Sequence, residues 1–327
     1  MAIRCGSQIT ICDNPISFDT YTGCSHACAY CFVKRKVDIS KVEADNCIKS
    51  LANFINGKRT QMTNWCDWKI PLHWGGMSDP FQPVERKFKI SLKCLELLVK
   101  TQYPFIVSTK GKLVCEPEYL NLLSKSNGVV QVSMVCSKYD VLEKGCPTYE
   151  ERLQMVKTLS KHCQRVIVRI QPYMVEVFKD VMDNIPRLAE AGVHGITIEG
   201  MKFLKKKHNL VKVGGDYCYP ESILKHDFEY IKERCHKYGL KFYCAENRLR
   251  YMGDHMNCCG VGDLFKGNEY NLSHLLNGEK VKPTETMKRV GTASCFKALY
   301  QSSVGHNMIS KNSFNSMMLK SLEKSRK

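Results

Sequence analysis

Short apolar runs and amphipathic stretches alternate along most of the chain. The runs at 16–23, 68–77 (WKIPLHWGGM), 104–109 (PFIVST), 129–136 (VVQVSMVC), 165–170 (RVIVRI) and 193–199 (VHGITIE) are rich in β-branched and aromatic residues and predict six strands. Between them, 42–55, 85–100, 116–124, 148–162 and 174–191 predict helices. Leu92, Leu95 and Val99 share one helical face, as do Leu153, Val156 and Leu159, and Asn56-Gly57 closes the first helix. Regular strand–helix alternation implies right-handed βαβ units and a parallel sheet, so the fold class is α/β. In closed or partly closed parallel sheets the chemistry gathers at the C-terminal ends of the strands.

Outside this region the pattern changes. Residues 1–15 read as an irregular lead-in, with Cys5 and Cys12 as buried thiols or ligands. Beyond Gly200, 201–215 reads as a loop, 220–238 as a helix, 240–244 as a strand and 283–300 as a helix, with a polar, basic tail at 304–327. Three divisions follow: the lead-in at 1–15, a core at 16–200 and a C-terminal extension at 201–327.

Composition narrows the class. Hydrophobic residues at 43% and charged residues at 25% of 327 are ordinary for a globular protein. No apolar run is long enough to span a membrane, and MAIRCGSQITICDNP lacks the apolar segment of a secretory signal. Eighteen Cys in a chain of this length argue against a secreted disulfide scaffold and for reduced, cytoplasmic thiols, some of them metal ligands. Lys and Arg outnumber Asp and Glu 49 to 32, a net charge of +17 that favours an acidic partner such as nucleic acid, or else marks a solvated basic surface.

The densest chemistry lies just after the first strand, in YTGCSHACAYCF, residues 21–32. Cys24, Cys28 and Cys31 stand in the spacing C-x3-C-x2-C, with Gly23 ahead of them to let the backbone turn. Three thiolates on one short loop can hold three irons of a [4Fe–4S] cluster and leave the fourth iron open to a substrate group. The other strand ends carry a polar ring able to hold a cofactor's ribose, carboxylate and sulfonium: GGMSDPFQPVE with Ser78 and Asp79, then STK with Lys110, Ser133, Arg169 with Gln171, and Glu199.

YTGCSHACAYCF resembles the cluster loop of the radical S-adenosylmethionine (SAM) superfamily. MSDPFQPVE, STK and PTYEERLQMVKTL followed by VIVRIQP are similar to the spore photoproduct lyase branch, often labelled DNA repair photolyase-like, over roughly residues 16–200. The resemblance implies a partial (β/α)6 parallel barrel, cluster ligands at Cys24, Cys28 and Cys31, and SAM as the cofactor on the open iron. It also implies Tyr30 beside the adenine, and Lys110 and Ser133 among the residues that hold SAM. A reducing electron donor such as flavodoxin or ferredoxin is implied too. One departure stands out: the lyase's hydrogen-donor Cys, two residues before its Ser-Asp pair, is matched here by Gly76, and Cys66 lies ten residues too early to replace it.

Two further features stay open at this level. Cys244, Cys258 and Cys259, with Cys295 and His255, are either an auxiliary metal site or buried and free thiols. Lys202, Lys205, Lys206, Lys207, His208 and Lys212, followed by Tyr217 and Tyr219, are either a nucleic-acid contact or a solvated loop. The expected function is a radical SAM enzyme acting on a nucleic acid or nucleotide. The alternatives are a small-molecule or peptide substrate, or a non-catalytic iron–sulfur protein that binds nucleic acid.

Overall fold

The apolar runs become strands, and the strands join one sheet. A computed structural model describes residues 3–5, 12–45, 47–60, 63, 69–213 and 215–267. In chain order the strands are β1 (Ile3–Cys5), β2 (Ile16–Phe18), β3 (Tyr21–Thr22), β4 (Glu43–Ala44), β5 (Leu72–Trp74), β6 (Phe105–Thr109), β7 (Gly128–Ser133), β8 (Val166–Tyr173), β9 (Gly195–Gly200), β10 (Lys202–Phe203), β11 (Val211–Val213), β12 (Asp216–Cys218) and β13 (Lys241–Cys244). The helices are α1 (Cys47–Ile55), α2 (Glu85–Phe88), α3 (Ile90–Thr101), α4 (Pro117–Leu123), α5 (Tyr149–Leu159), α6 (Phe178–Glu190) and α7 (Glu221–Lys237).

The main sheet runs β1-β2-β5-β6-β7-β8-β9-β13. From β2 to β13 every neighbouring pair is parallel, and only β1 is antiparallel to its neighbour. Parallel neighbours need a crossover, and helices supply it. Alternate residues of each strand divide the work. Leu72, Trp74, Val107, Val130, Val168 and Ile196 face the helices and form the main core. His73, Ser108, Gln131 and Arg169 face the other way and meet one another. A flat sheet would hold β5 and β8 about 14 Å apart at the usual strand spacing. Arg169 Nη1 nonetheless reaches His73 Nε2 at 3.2 Å, so this face is concave and the sheet is a partial barrel.

The N-terminal end of the lumen is closed. Ile106, Val129, Ile167 and Tyr243 pack there against Cys259, Val261 and Phe265 in a second apolar cluster. Arg165 fixes that plug by donating to both carboxylate oxygens of Asp263 at 2.6 and 2.7 Å and to the Gly260 carbonyl at 2.7 Å.

The structure departs from the sequence reading in four places. The first helix starts at Cys47, because Glu43 and Ala44 pair instead with Thr22 and Tyr21. The helix expected over 85–100 is two helices, with Lys89 in the left-handed region at φ 51°. The cause is Glu85, whose carboxylate accepts from Ser91 N and Leu92 N at 2.9 Å and so caps α3 from within the preceding helix. The lead-in contains β1, three residues too short to show a period, tied by Arg4 to Asp19. The loop expected over 201–215 holds as loop at 204–210 but carries the two outer strands of a small antiparallel sheet of order β10-β12-β11, where lysine density hid the alternation of Val211 and Val213. The helix expected at 283–300 and the basic tail lie outside the described residues.

Candidate active site

The loop with three cysteines leaves β3 at the C-terminal end of the sheet, and close backbone packing forces its shape. Gly23 has φ +79°, and a Cβ there would lie 2.2 Å from Lys41 O. Cys24 N donates to Ile39 O at 3.0 Å, Ala27 takes a left-handed φ of 49°, and Cys31 N donates to Cys28 O at 3.1 Å. The thiols of Cys24, Cys28 and Cys31 are all half-buried.

The segment MSDPFQPVE holds this loop from below. Gln82, fully buried, accepts from Ser25 N at 2.8 Å and donates to Gly23 O at 3.3 Å. Glu85 accepts from the Tyr21 hydroxyl, one turn ahead of the loop, and from Tyr119 Oη at 2.8 Å. Asp79 accepts from Phe81 N at 2.8 Å, Thr109 Oγ1 at 2.7 Å, Lys110 N at 2.6 Å and Gly111 N at 3.2 Å, and its other neighbour is His26 Nε2 at 3.2 Å. Burial opposes charge on Asp79, but His26 and these donors outweigh it and hold the carboxyl down at about 2. His26 Nδ1 faces Gly145 O at 2.8 Å, so both ring nitrogens meet acceptors. Burial opposes its charge as well, and the Asp79 carboxylate overrides burial and raises its pKa. Asp79 is thus spent inside the protein, whereas the Ser78 hydroxyl is buried with no hydrogen-bond partner among the described residues.

Beside the loop lies a charged knot that the sequence reading saw only in part. Lys110 Nζ sits 3.6 Å from Glu143 and 5.8 Å from the centre of the Tyr30 ring, and Tyr30 donates its hydroxyl to the same carboxylate. Arg152, fully buried, pairs with Glu143 at 2.5 Å and donates to Ser133 O at 2.9 Å. Burial would raise the Glu143 pKa, but Lys110 and Arg152 lower it. Tyr30, Lys110 and the backbone of Ser133 are therefore brought together through Glu143, which lies outside the quoted segments, and Arg152, which lies within PTYEERLQMVKTL with nothing local to mark its role. Cys146 is the other missed residue. Its Sγ lies 3.7 Å from that of Cys28, and this contact, with Lys110 adding, lowers the Cys28 pKa to about 6. Burial pushes Cys24 up to about 12, so that its proton would leave only for a metal.

Arg169 and Glu199 belong to a separate network across the lumen. Arg169 donates to Ser108 Oγ at 2.9 Å, Gln131 Oε1 at 3.1 Å and Gln171, and Gln171 donates to Glu199, which Lys202 also engages. Burial and Arg169 hold His73 neutral, down at about 3.

Cys258 and Cys259 adjoin, with Cys12 and the buried Arg250 close enough to act on their ionisation. Cys244, its Sγ 3.8 Å from Glu246 O, is also close enough to Cys258 for that thiol to act on its ionisation, and Cys295 and Cys66 lie outside the described residues. His255 Nδ1 accepts from Asn257 N at 2.9 Å. Among the described residues no three His, Cys, Asp or Glu converge on a single ion. A cluster does not ask for that, since its thiolates bind different irons. Lys205, Lys206, Lys207, His208 and Lys212 are exposed. Tyr219 is buried, with its hydroxyl on Glu176 at 2.8 Å, so it packs the small sheet. Among the described residues no helix is long and apolar enough to cross a membrane.

No protein-family model matches the chain. An uncharacterised protein of Mycobacterium tuberculosis is 22% identical over 197 residues, 55% of this chain, and the match spans 57% of that relative's length. A structure of a spore photoproduct lyase variant with bound AdoMet and dinucleoside spore photoproduct superposes with a TM-score of 0.57 at 15% identity, over 71% of this chain and 76% of the other. Streptococcus suis SuiB bound to precursor peptide SuiA superposes with a TM-score of 0.52 at 12% identity, over 72% of this chain and 50% of the other. The partial-barrel fold and its likeness to spore photoproduct lyase, both expected from the sequence, are borne out.

Proposed function

We propose that this chain is a radical SAM enzyme. The carrying observation is the three-thiol loop at the mouth of a barrel that shares its fold with an AdoMet-binding structure. The donor set fits a [4Fe–4S] cluster: Cys24, Cys28 and Cys31 are soft ligands on one turn, and Lys110 and His26 bring positive charge beside them. When bound, the cluster and SAM supply a carbon radical able to take a hydrogen atom from an unactivated C–H bond.

The chain's own residues set the stage for that chemistry. Gln82 and Asp79 fix the loop. Tyr30 offers a ring face held by Glu143, and Lys110 offers a cation for a carboxylate. Ser78 offers an unmatched hydroxyl. Arg169, Gln171 and Glu199 line the lumen beneath, where a substrate would be oriented and water excluded.

The proposed substrate is a nucleic acid or nucleotide. The net charge of +17 and the exposed lysines of 205–212 beside the mouth support this, and the lyase neighbour's dinucleoside ligand is of the same class. Its reaction would differ from the lyase's. Gly76 stands at the hydrogen-donor position, and a Cβ built there has nothing within 4 Å, so space exists for a thiol that the chain does not supply. A peptide substrate is the second reading, favoured by the SuiB likeness alone.

The test is anaerobic reconstitution with iron and sulfide, then SAM and dithionite. The expected product is 5′-deoxyadenosine, raised by added single-stranded DNA or RNA. Absence of 5′-deoxyadenosine from cluster-loaded protein sinks the enzyme reading, and a yield indifferent to nucleic acid turns the substrate reading toward peptide.

A further inference from the structure

We infer that Cys28 and Cys146 form a reversible disulfide that closes the cluster loop when it carries no iron. This rests on the reading of Cys28 as a cluster ligand only for its consequence; the bond itself stands on geometry.

The two sulfurs are 3.7 Å apart although their residues are 118 positions apart. The segment that carries Cys146 is built onto the cysteine loop. Ala29 N donates to Leu142 O at 2.8 Å, and His26 Nδ1 meets Gly145 O at 2.8 Å. Cys146 N donates to Glu143 O at 2.8 Å, which turns the thiol inward. Gly145 allows the approach, since a Cβ there would lie 2.6 Å from His26 O and 2.7 Å from Ser25 O. A disulfide needs about 2.05 Å between sulfurs, so closure asks for a movement of about 1.6 Å, within the reach of two side-chain rotations.

Proximity alone does not single out this pair. Cys47 and Cys94 are as close, at 3.6 Å, but both are fully buried between α1 and α3. Cys28 and Cys146 are half-buried and open to a small oxidant. With glutathione disulfide as that oxidant, the Cys28 thiolate attacks one sulfur and releases one glutathione. The Cys146 thiolate then attacks the Cys28 sulfur of the mixed disulfide and releases the second. Two protein thiols are oxidised to one disulfide, and one glutathione disulfide is reduced to two glutathiones. The product removes one of three cluster ligands and shields both sulfurs from irreversible over-oxidation. A dithiol restores them.

The experiment uses the full chain, purified without iron, equilibrated with glutathione disulfide, quenched by alkylation and mapped by mass spectrometry. The expected result is a Cys28–Cys146 linked peptide as the main cross-link, no Cys47–Cys94 link while the protein stays folded, and Cys28 trapped as its glutathione adduct with no cross-link in Cys146→Ser. Circular dichroism confirms that the variant folds, and the wild-type result stands without it. Cys28 paired with Cys24 or Cys31, or only glutathione adducts on both residues, overturns the inference. A parallel sample with a full cluster separates the two readings. Blocked cross-linking there supports both, whereas equal cross-linking with iron retained keeps the disulfide and removes Cys28 from the ligand set.

Discussion

Arg152 and Glu143 form a 2.5 Å ion pair with no exposed surface on the arginine, and that pair is what Tyr30 and Lys110 lean on at the cluster loop. A buried pair adds little net stability, yet breaking it leaves an uncompensated charge in the interior.

Replacing the carboxylate therefore has a large effect. Glu143→Ala should lose about 3 kcal/mol of folding stability, because Arg152 is left buried with only the longer 3.5 Å contact to Asp140 as a carboxylate partner. Urea unfolding of iron-free protein measures it, and a loss under about 1 kcal/mol would mean that Arg152 finds water instead.

Asp79 gives a pH signature. Its folded pKa of about 2 lies below the ordinary carboxylate value, so its contribution is present above about pH 4 and fades as pH falls toward 2. Its size is about 2 kcal/mol. Asp79→Asn should be less stable than wild type at pH 6, and the gap should narrow on acidification. His26, with its pKa raised, contributes below its ordinary value and loses that contribution as pH climbs through the raised one. Unfolding midpoints for both proteins between pH 2 and 8 are the measurement; a constant gap would contradict the assignment.

Iron content separates the two groups of thiols. Cys24→Ala should fall from about four irons per chain to near none after reconstitution. Cys258→Ala should keep its iron, because the cluster thiols proposed here are those of Cys24, Cys28 and Cys31 on the loop after β3. Equal losses in both variants would point instead to a second cluster.

The basic loop between β10 and β11 should act through charge alone. Reversing Lys205, Lys206 and Lys207 to Glu should weaken binding to single-stranded nucleic acid and lower the slope of log affinity against log salt by about 2. Folding stability should hold within about 0.5 kcal/mol. An unchanged slope would place the contact elsewhere.

How much of this was readable beforehand follows from the range of each interaction. The six strands and the helices between them are local, period-driven features, and they appear where the apolar runs stand. The cysteine loop is contiguous and showed itself by spacing. Glu143, Arg152 and Cys146 are different: each reaches the site from the segment after β7, across more than a hundred positions from Tyr30 or Cys28. No local pattern marks Glu143 or Cys146, and Arg152, though inside PTYEERLQMVKTL, carries no local sign that it pairs with Glu143. Nor does sequence say that Asp79 is used up on Thr109, Lys110 and Gly111, since a carboxylate at a strand end looks the same whether it faces a ligand or a backbone. The break at Lys89 was hidden because the apolar period continues across it, while the side chain that causes it stands four residues earlier.

The packing of Cys259, Val261 and Phe265 into the base of the barrel has one more consequence. Among the described residues it closes the lumen at that end. A ligand of Arg169 would therefore not come through that base, and the C-terminal strand ends, where the cysteine loop stands, are left as a way in and out. A long polymer cannot be threaded through; it has to bring a protruding end or an everted unit to the opening.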